Sequence, residues 1–184
     1  MKKIILSTLF LISVFSCKKE NTKTDHSLPV KDSVTVSGSP APSAALKMWT
    51  PDQTAAFLGK KNDTLYVTNF FATWCGPCVK EIPHFKNKIQ ELNGKPVKIT
   101  FVSVDSKEDW TTKVPQFADE QGIRNNTVLL DNELMEGNFY VTNFKKWDGS
   151  AIPFTYMRKG EKTDETLGMM SEEELNEKIN TLLK

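Results

Sequence analysis

Histidine and cysteine are scarce in this chain of 184 residues, which holds two of the first and three of the second. Net charge is almost absent as well, since 24 basic residues face 23 acidic ones and leave +1. A chain so balanced has no basic surface to displace phosphate counterions, which excludes nucleic acid as a partner. The shortage of ligands limits metal chemistry in the same way. His84 lies six residues beyond Cys78 and could join Cys75 and Cys78 around zinc, but no fourth ligand stands at a usual spacing. No metal site is therefore expected, and His84 is expected to be a half-buried helix residue. Nor is there an apolar run long enough to cross a bilayer: Ile4 to Phe15, "IILSTLFLISVF", falls short of the ~20 residues a spanning helix needs. Internal repeats are absent too. What remains is 39% hydrophobic and 26% charged residues, ordinary for one globular domain.

The short apolar run follows Lys2 and Lys3, the arrangement of a secretory signal. It ends in Val14-Phe15-Ser16-Cys17, which resembles the lipobox of bacterial lipoproteins. That resemblance implies cleavage after residue 16 and lipidation of Cys17. Loss of Lys2 and Lys3 would leave 22 basic against 23 acidic residues, a net charge of −1. An ordinary signal with an incidental cysteine, or an uncleaved anchor, is the alternative. From Cys17 to residue 45 the chain is rich in Ser, Thr, Pro and Lys, without aromatics, and is expected to be a flexible tether. His26 falls there, as does a short β-prone "VTV" beginning at Val34. Residues 46–184 form the expected folded domain.

Thr50-Pro51-Asp52 has the form of a helix start, closed by Gly59. Thr64 to Ala72 is β-branched and aromatic, a strand buried on both faces. A long helix follows from the cysteines to Gly94, with Val79, Ile82, Phe85, Ile89 and Leu92 on one face and Pro83 expected to kink it. Strands at "VKITFVSVD", "NTVLLD", "IPFTYMRKG" and "EKTDETLG" alternate with or follow helical stretches. An amphipathic helix led by Ser171 and Glu174, a capping-box pair, closes the chain. The pattern predicts an α/β fold with a central mixed β-sheet flanked by helices.

Cys75-Gly76-Pro77-Cys78 sits where the first long strand meets its helix. A structural bridge across so short a loop would stabilise little. Residues three apart in a first helical turn bring their sulfurs within bonding reach. The unpaired N–H groups there favour a thiolate, so redox chemistry is the better explanation.

The frame "FFATWCGPCVKEIP" resembles the active-site segment of thioredoxin-like proteins. Asn69, Glu81 and Pro83 narrow the likeness to the TlpA/ResA type of membrane-tethered bacterial thiol-disulfide oxidoreductases. The resemblance implies a thioredoxin-like fold in which Cys75 attacks, Cys78 resolves and Glu81 manages protons. It also implies a cis-proline facing the disulfide, for which Ile152-Pro153 is the candidate. Phe154 departs from the small hydroxyl residue that commonly follows. Trp74 is expected to offer an apolar contact beside the sulfur. Trp147 and Gly149 are either groove residues or, for Trp147, a core anchor.

No cofactor is expected, because the two sulfurs carry the electrons. The Gly-Pro dipeptide and the family likeness point to reduction of exported protein disulfides, for instance in apocytochromes, fed by a membrane thiol relay. The expected setting is the cell envelope, with a monomer held to a bacterial membrane by its lipid. The alternatives are an oxidant or repair reductase, a non-catalytic binding module, or a peroxide-reducing enzyme using Thr73.

Overall fold

The computed structural model describes residues 44–184. The expected signal segment, Cys17, His26, the Val34 stretch and all but the last two residues of the tether lie outside them. Among the described residues the α-helices and strands run β1 Lys47–Trp49, α1 Pro51–Leu58, β2 Leu65–Phe71, α2 Gly76–Glu91, β3 Val97–Ser103, α3 Lys113–Glu120 and β4 Thr127–Leu130. They continue as α4 Gly137–Asn143, β5 Phe154–Lys159, β6 Lys162–Leu167 and α5 Glu172–Leu183. The sheet order is β1-β4-β3-β2-β5-β6. The first four of these pair in parallel, and β5 pairs antiparallel with both β2 and β6, the mixed α/β sheet expected of the pattern.

Strand β2 is central and buried at all seven positions, as its apolar composition requires. Its side chains alternate between two aromatic layers. Phe71 meets Phe101 edge-on and Phe101 meets Phe85 of α2, so the odd positions of β2 face that helix. The even positions face the opposite layer. There Tyr66 meets Phe57 of α1, and Phe70 packs with Phe144, Trp147 and Phe154. Truncating a buried ring such as Phe70 would cost about 3–5 kcal/mol.

Local signals account for the helix starts. Thr50 caps α1 through the N–H of Gln53, and Gln53 returns a bond to the Thr50 N–H. Ser171 caps α5 through the Glu174 N–H. Helix α2 continues through Pro83 rather than ending there. Pro83 lies in the helix's second turn and is exposed, so its ring is accommodated at the surface. Strand β1 is the element that the sequence pattern did not announce. Three residues, two of them exposed, carry no alternation signal, and they become a strand only by pairing with Val128–Leu130 of β4.

Candidate active site

The parallel strands end at one pole of the sheet, where connecting loops leave backbone groups free for chemistry. There β2 gives way to Thr73-Trp74-Cys75, and Cys75 becomes the N-cap of α2. Its Sγ accepts the Cys78 N–H at 3.3 Å, which satisfies one of the orphan donors of the first turn. Cys75 and Cys78 are joined by a disulfide. The two differ in access, since Cys78 is fully buried while Cys75 keeps 5% of its surface at the rim. Trp74, next to it, is 72% exposed, a large apolar ring held in water beside the reactive sulfur.

The loop carrying this pair is tied down by Asp105, just past the end of β3. Its carboxylate accepts the Thr73 N–H at 3.0 Å, the Thr73 hydroxyl at 2.7 Å and the Ser103 hydroxyl at 2.8 Å. The Asp105 backbone carbonyl accepts the Trp110 indole N–H at 2.9 Å. Asp105 is buried, so each of these donors depends on it. The sequence did not single it out, because an acid closing a strand looks like an ordinary turn residue. The Thr73 hydroxyl is committed to Asp105, which leaves it poorly placed to serve a peroxide.

Glu81 lies one turn beyond Cys78 on α2 and is fully buried. Asn69 Nδ2 donates to one carboxyl oxygen at 2.7 Å, and the Met170 N–H donates to the other at 2.9 Å. Burial disfavours the charged form and pushes its pKa up to about 7, against the two donors, which hold it down; Glu174 adds a smaller upward push. The group therefore changes protonation near neutrality. Asn69 also donates to the Thr155 hydroxyl at 3.0 Å, while its own Oδ1 is buried without a partner. A side chain with both donor and acceptor suits this neighbour. Its amide can donate to the carboxylate, and after rotation its oxygen can accept from the protonated acid. An aspartate in its place would add a second buried carboxylate.

The peptide bond Ile152–Pro153 is cis. Pro153 is buried, and the Ile152 carbonyl oxygen lies 3.7 Å from Cys75 Sγ, across the groove from the pair. In the disulfide that sulfur has no proton to donate, so the approach is a contact rather than a hydrogen bond. The loop leading there is braced at both ends. Glu165 of β6, buried, accepts the Lys145 N–H at 3.0 Å and the Lys146 N–H at 2.7 Å. Trp147 donates its indole N–H to the Ala151 carbonyl at 2.7 Å and stacks on Phe154 at 4.6 Å. Trp147 is thus a core anchor, 4% exposed, and not a groove wall. Gly149 adopts φ +86°, and a Cβ there would fall 2.4 Å from the Tyr140 ring. Phe154 points into the aromatic layer away from α2, and the hydroxyl on the site's side of β5 is that of Thr155.

His84 is half-buried, as expected, with Nδ1 3.1 Å from the Met170 carbonyl. Glu81 and His84 therefore grip the N–H and the carbonyl of the same residue. Gly168, two residues earlier, donates its N–H to the Pro153 carbonyl at 2.8 Å. The site so assembled unites Cys75, Cys78, Glu81, Trp74, Ile152 and Pro153 at one pole, with Asn69 and Asp105 beneath. Cys17 lies outside the described residues.

The redoxin family model matches residues 36–161, more than half of the chain. The chain belongs to the redoxin family. Within it, the chain is a thioredoxin-like protein of the TlpA/ResA type, a group of thiol-disulfide oxidoreductases. It is 27% identical over 145 residues to thioredoxin-like protein YneN of Bacillus subtilis, covering 78% of each chain. It is 36% identical over 85 residues to the thiol-disulfide oxidoreductase ResA of Oceanobacillus iheyensis, covering 45% of this chain and 43% of that one. The chain thus spans less than half the length of that ResA. Its fold matches the crystal structure of a thioredoxin-family thiol:disulfide interchange protein from Chlorobium tepidum at a TM-score of 0.57 and 20% identity. That match covers 78% of this chain and all of the other. The fold is thioredoxin-like.

Proposed function

We propose that this protein reduces disulfides in exported proteins, working from a lipid anchor at Cys17 in the bacterial cell envelope. The observation that carries the reading is the meeting of three groups at one pole: a rim sulfur at a helix N-cap, a buried partner sulfur, and a buried carboxyl one turn on.

The reaction follows from that arrangement. In the reduced enzyme the Cys75 thiolate, favoured by the N–H groups of the first turn, attacks a substrate disulfide. One substrate sulfur leaves as a thiolate and a Cys75–substrate mixed disulfide forms. Glu81 takes the proton of the Cys78 thiol, whose sulfur then attacks Cys75 Sγ and releases the second substrate thiolate. Protons return to the two substrate sulfurs, and the enzyme is left as the Cys75–Cys78 disulfide. A membrane dithiol relay then supplies two electrons and two protons to reset it. The Ile152 backbone beside the cis-proline pairs with the substrate's extended chain, and Trp74 gives it an apolar seat. Apocytochrome cysteines are one substrate of the right chemistry. Reduction is favoured over oxidation by the Gly-Pro dipeptide, which resembles reducing thioredoxins at about −270 mV rather than strong oxidants at about −120 mV.

The test is insulin-disulfide reduction driven by a dithiol. Turnover is expected in the wild type and expected to vanish in Cys75→Ser. A wild type without turnover would leave a scaffold that uses the fold for binding alone.

A further inference from the structure

The charge of the domain is sorted along the strand direction, although the whole chain is almost neutral. At the disulfide pole, the segments 72–76, 104–112, 131–136, 144–153 and 168–174 contain three basic and ten acidic residues. At the opposite pole lie Lys47 and the segments 59–64, 92–98, 121–126 and 158–162, with nine basic and two acidic residues. Strands of six or seven residues hold the two poles roughly 20 Å apart. Such a separation exceeds the Debye length of about 10 Å at moderate salt, so each pole acts on its surroundings by itself.

Part of the basic pole carries no ion pair, although Lys61 pairs with Glu161 and Arg124 with Asp119. Among the described residues, Lys47, Lys60, Lys95 and Lys98 are exposed and make no ion pair. Lys60 and Lys98 hold their ammonium groups over the Phe57 ring at 5.0 and 5.5 Å. Together with Lys47 they surround a depression of about 290 Å³ floored by Trp49 and Phe57. The chain also enters the domain here. Lys47 begins β1, and the Ala44 carbonyl accepts from Arg124 at 2.7 Å, with 43 residues still to precede it.

We propose that this pole docks on an anionic lipid surface, with phosphate headgroups between Lys47, Lys60 and Lys98 and the disulfide turned away from the membrane. The ten acidic residues at the other pole reinforce that orientation, because an anionic surface repels them. The inference deepens the envelope reading but stands on the charge sorting, and its test separates the two.

The full-length protein is bound to vesicles of phosphatidylcholine alone, or of phosphatidylcholine mixed with phosphatidylglycerol, and its lysines are acetylated and counted by mass spectrometry. Lys47, Lys60, Lys95 and Lys98 are expected to react roughly fivefold more slowly on the mixed vesicles, as suits about 1 kcal/mol per lysine near such a surface. Lys113, at the disulfide end, should react alike on both. High salt should erase the difference, and protection of Lys95 should be lost in a Lys47→Gln/Lys60→Gln/Lys98→Gln variant. Equal reaction on both vesicles, or protection by polyglutamate but not by vesicles, would overturn the proposal, the second result assigning the pole to an acidic protein. Failure to bind pure phosphatidylcholine would count against the anchor alone, since protection on the mixed vesicles would still uphold the docking.

Discussion

Replacing Glu81 by glutamine should make the oxidised protein more stable at alkaline pH and less stable at acid pH. The fold raises the Glu81 pKa from 4.5 to about 7, so the folded state binds a proton that the unfolded state has already released between those values. Stability contributed by the neutral acid is complete below pH 4.5, falls as pH rises through that window, and reaches its full loss above about 7. At 1.36 kcal/mol per pKa unit that loss is roughly 3 kcal/mol. Glutamine cannot ionise and escapes it. However, glutamine puts an NH2 where the neutral acid has a single O–H, so even with Asn69 turned to accept from it one N–H is buried without a partner, at about 1–2 kcal/mol. The net gain is therefore about 1–2 kcal/mol near pH 8, turning into a similar deficit near pH 4.5. Urea unfolding of both oxidised proteins at the two pH values measures this directly. A stability difference that does not change with pH, or one that grows in the wild type's favour toward alkaline pH, would refute the reasoning about burial.

Other perturbations probe the supports of the site. Asp105→Ala strands three buried or half-buried donors and should cost about 2–4 kcal/mol, with faster alkylation of Cys75 in the reduced protein; Asp105→Asn should recover part of both, as read by urea unfolding and alkylation rate. Trp147→Phe keeps the ring stacked on Phe154 but removes the bond to Ala151, so stability should fall by about 1 kcal/mol and KM for a protein disulfide should rise more than kcat falls. Asn69→Asp sets a second carboxylate against Glu81, and the pH midpoint of exchange should move upward.

The elements that carry the chemistry were legible because local rules and tertiary needs agree there. β2 is apolar at nearly every position because both its faces are covered, and α2 begins where a cysteine can cap it and a proline fits its first turn. Asn69, Glu81 and Ile152-Pro153 could be placed by the motif they share with the TlpA/ResA type. What escaped notice is held by long-range contacts. β1 exists through β4, some eighty residues later. Asp105 and Glu165 look like ordinary acidic residues until the fold brings the backbone of Thr73 or Lys145 against them. The anchoring role of Trp147 depends on a ring face that Phe154 supplies from the next strand. Pro83 was expected inside a continuous helix, and the helix does run through it, with Ile82 and Phe85 beside it in the core.

The central claim is that electrons pass through Cys75 first and Cys78 second. Mixing reduced Cys78→Ser with a disulfide-bonded protein and mapping the adduct by non-reducing mass spectrometry tests it most directly. A stable mixed disulfide at Cys75 is the predicted result. No adduct, together with continued turnover by Cys75→Ser, would contradict it.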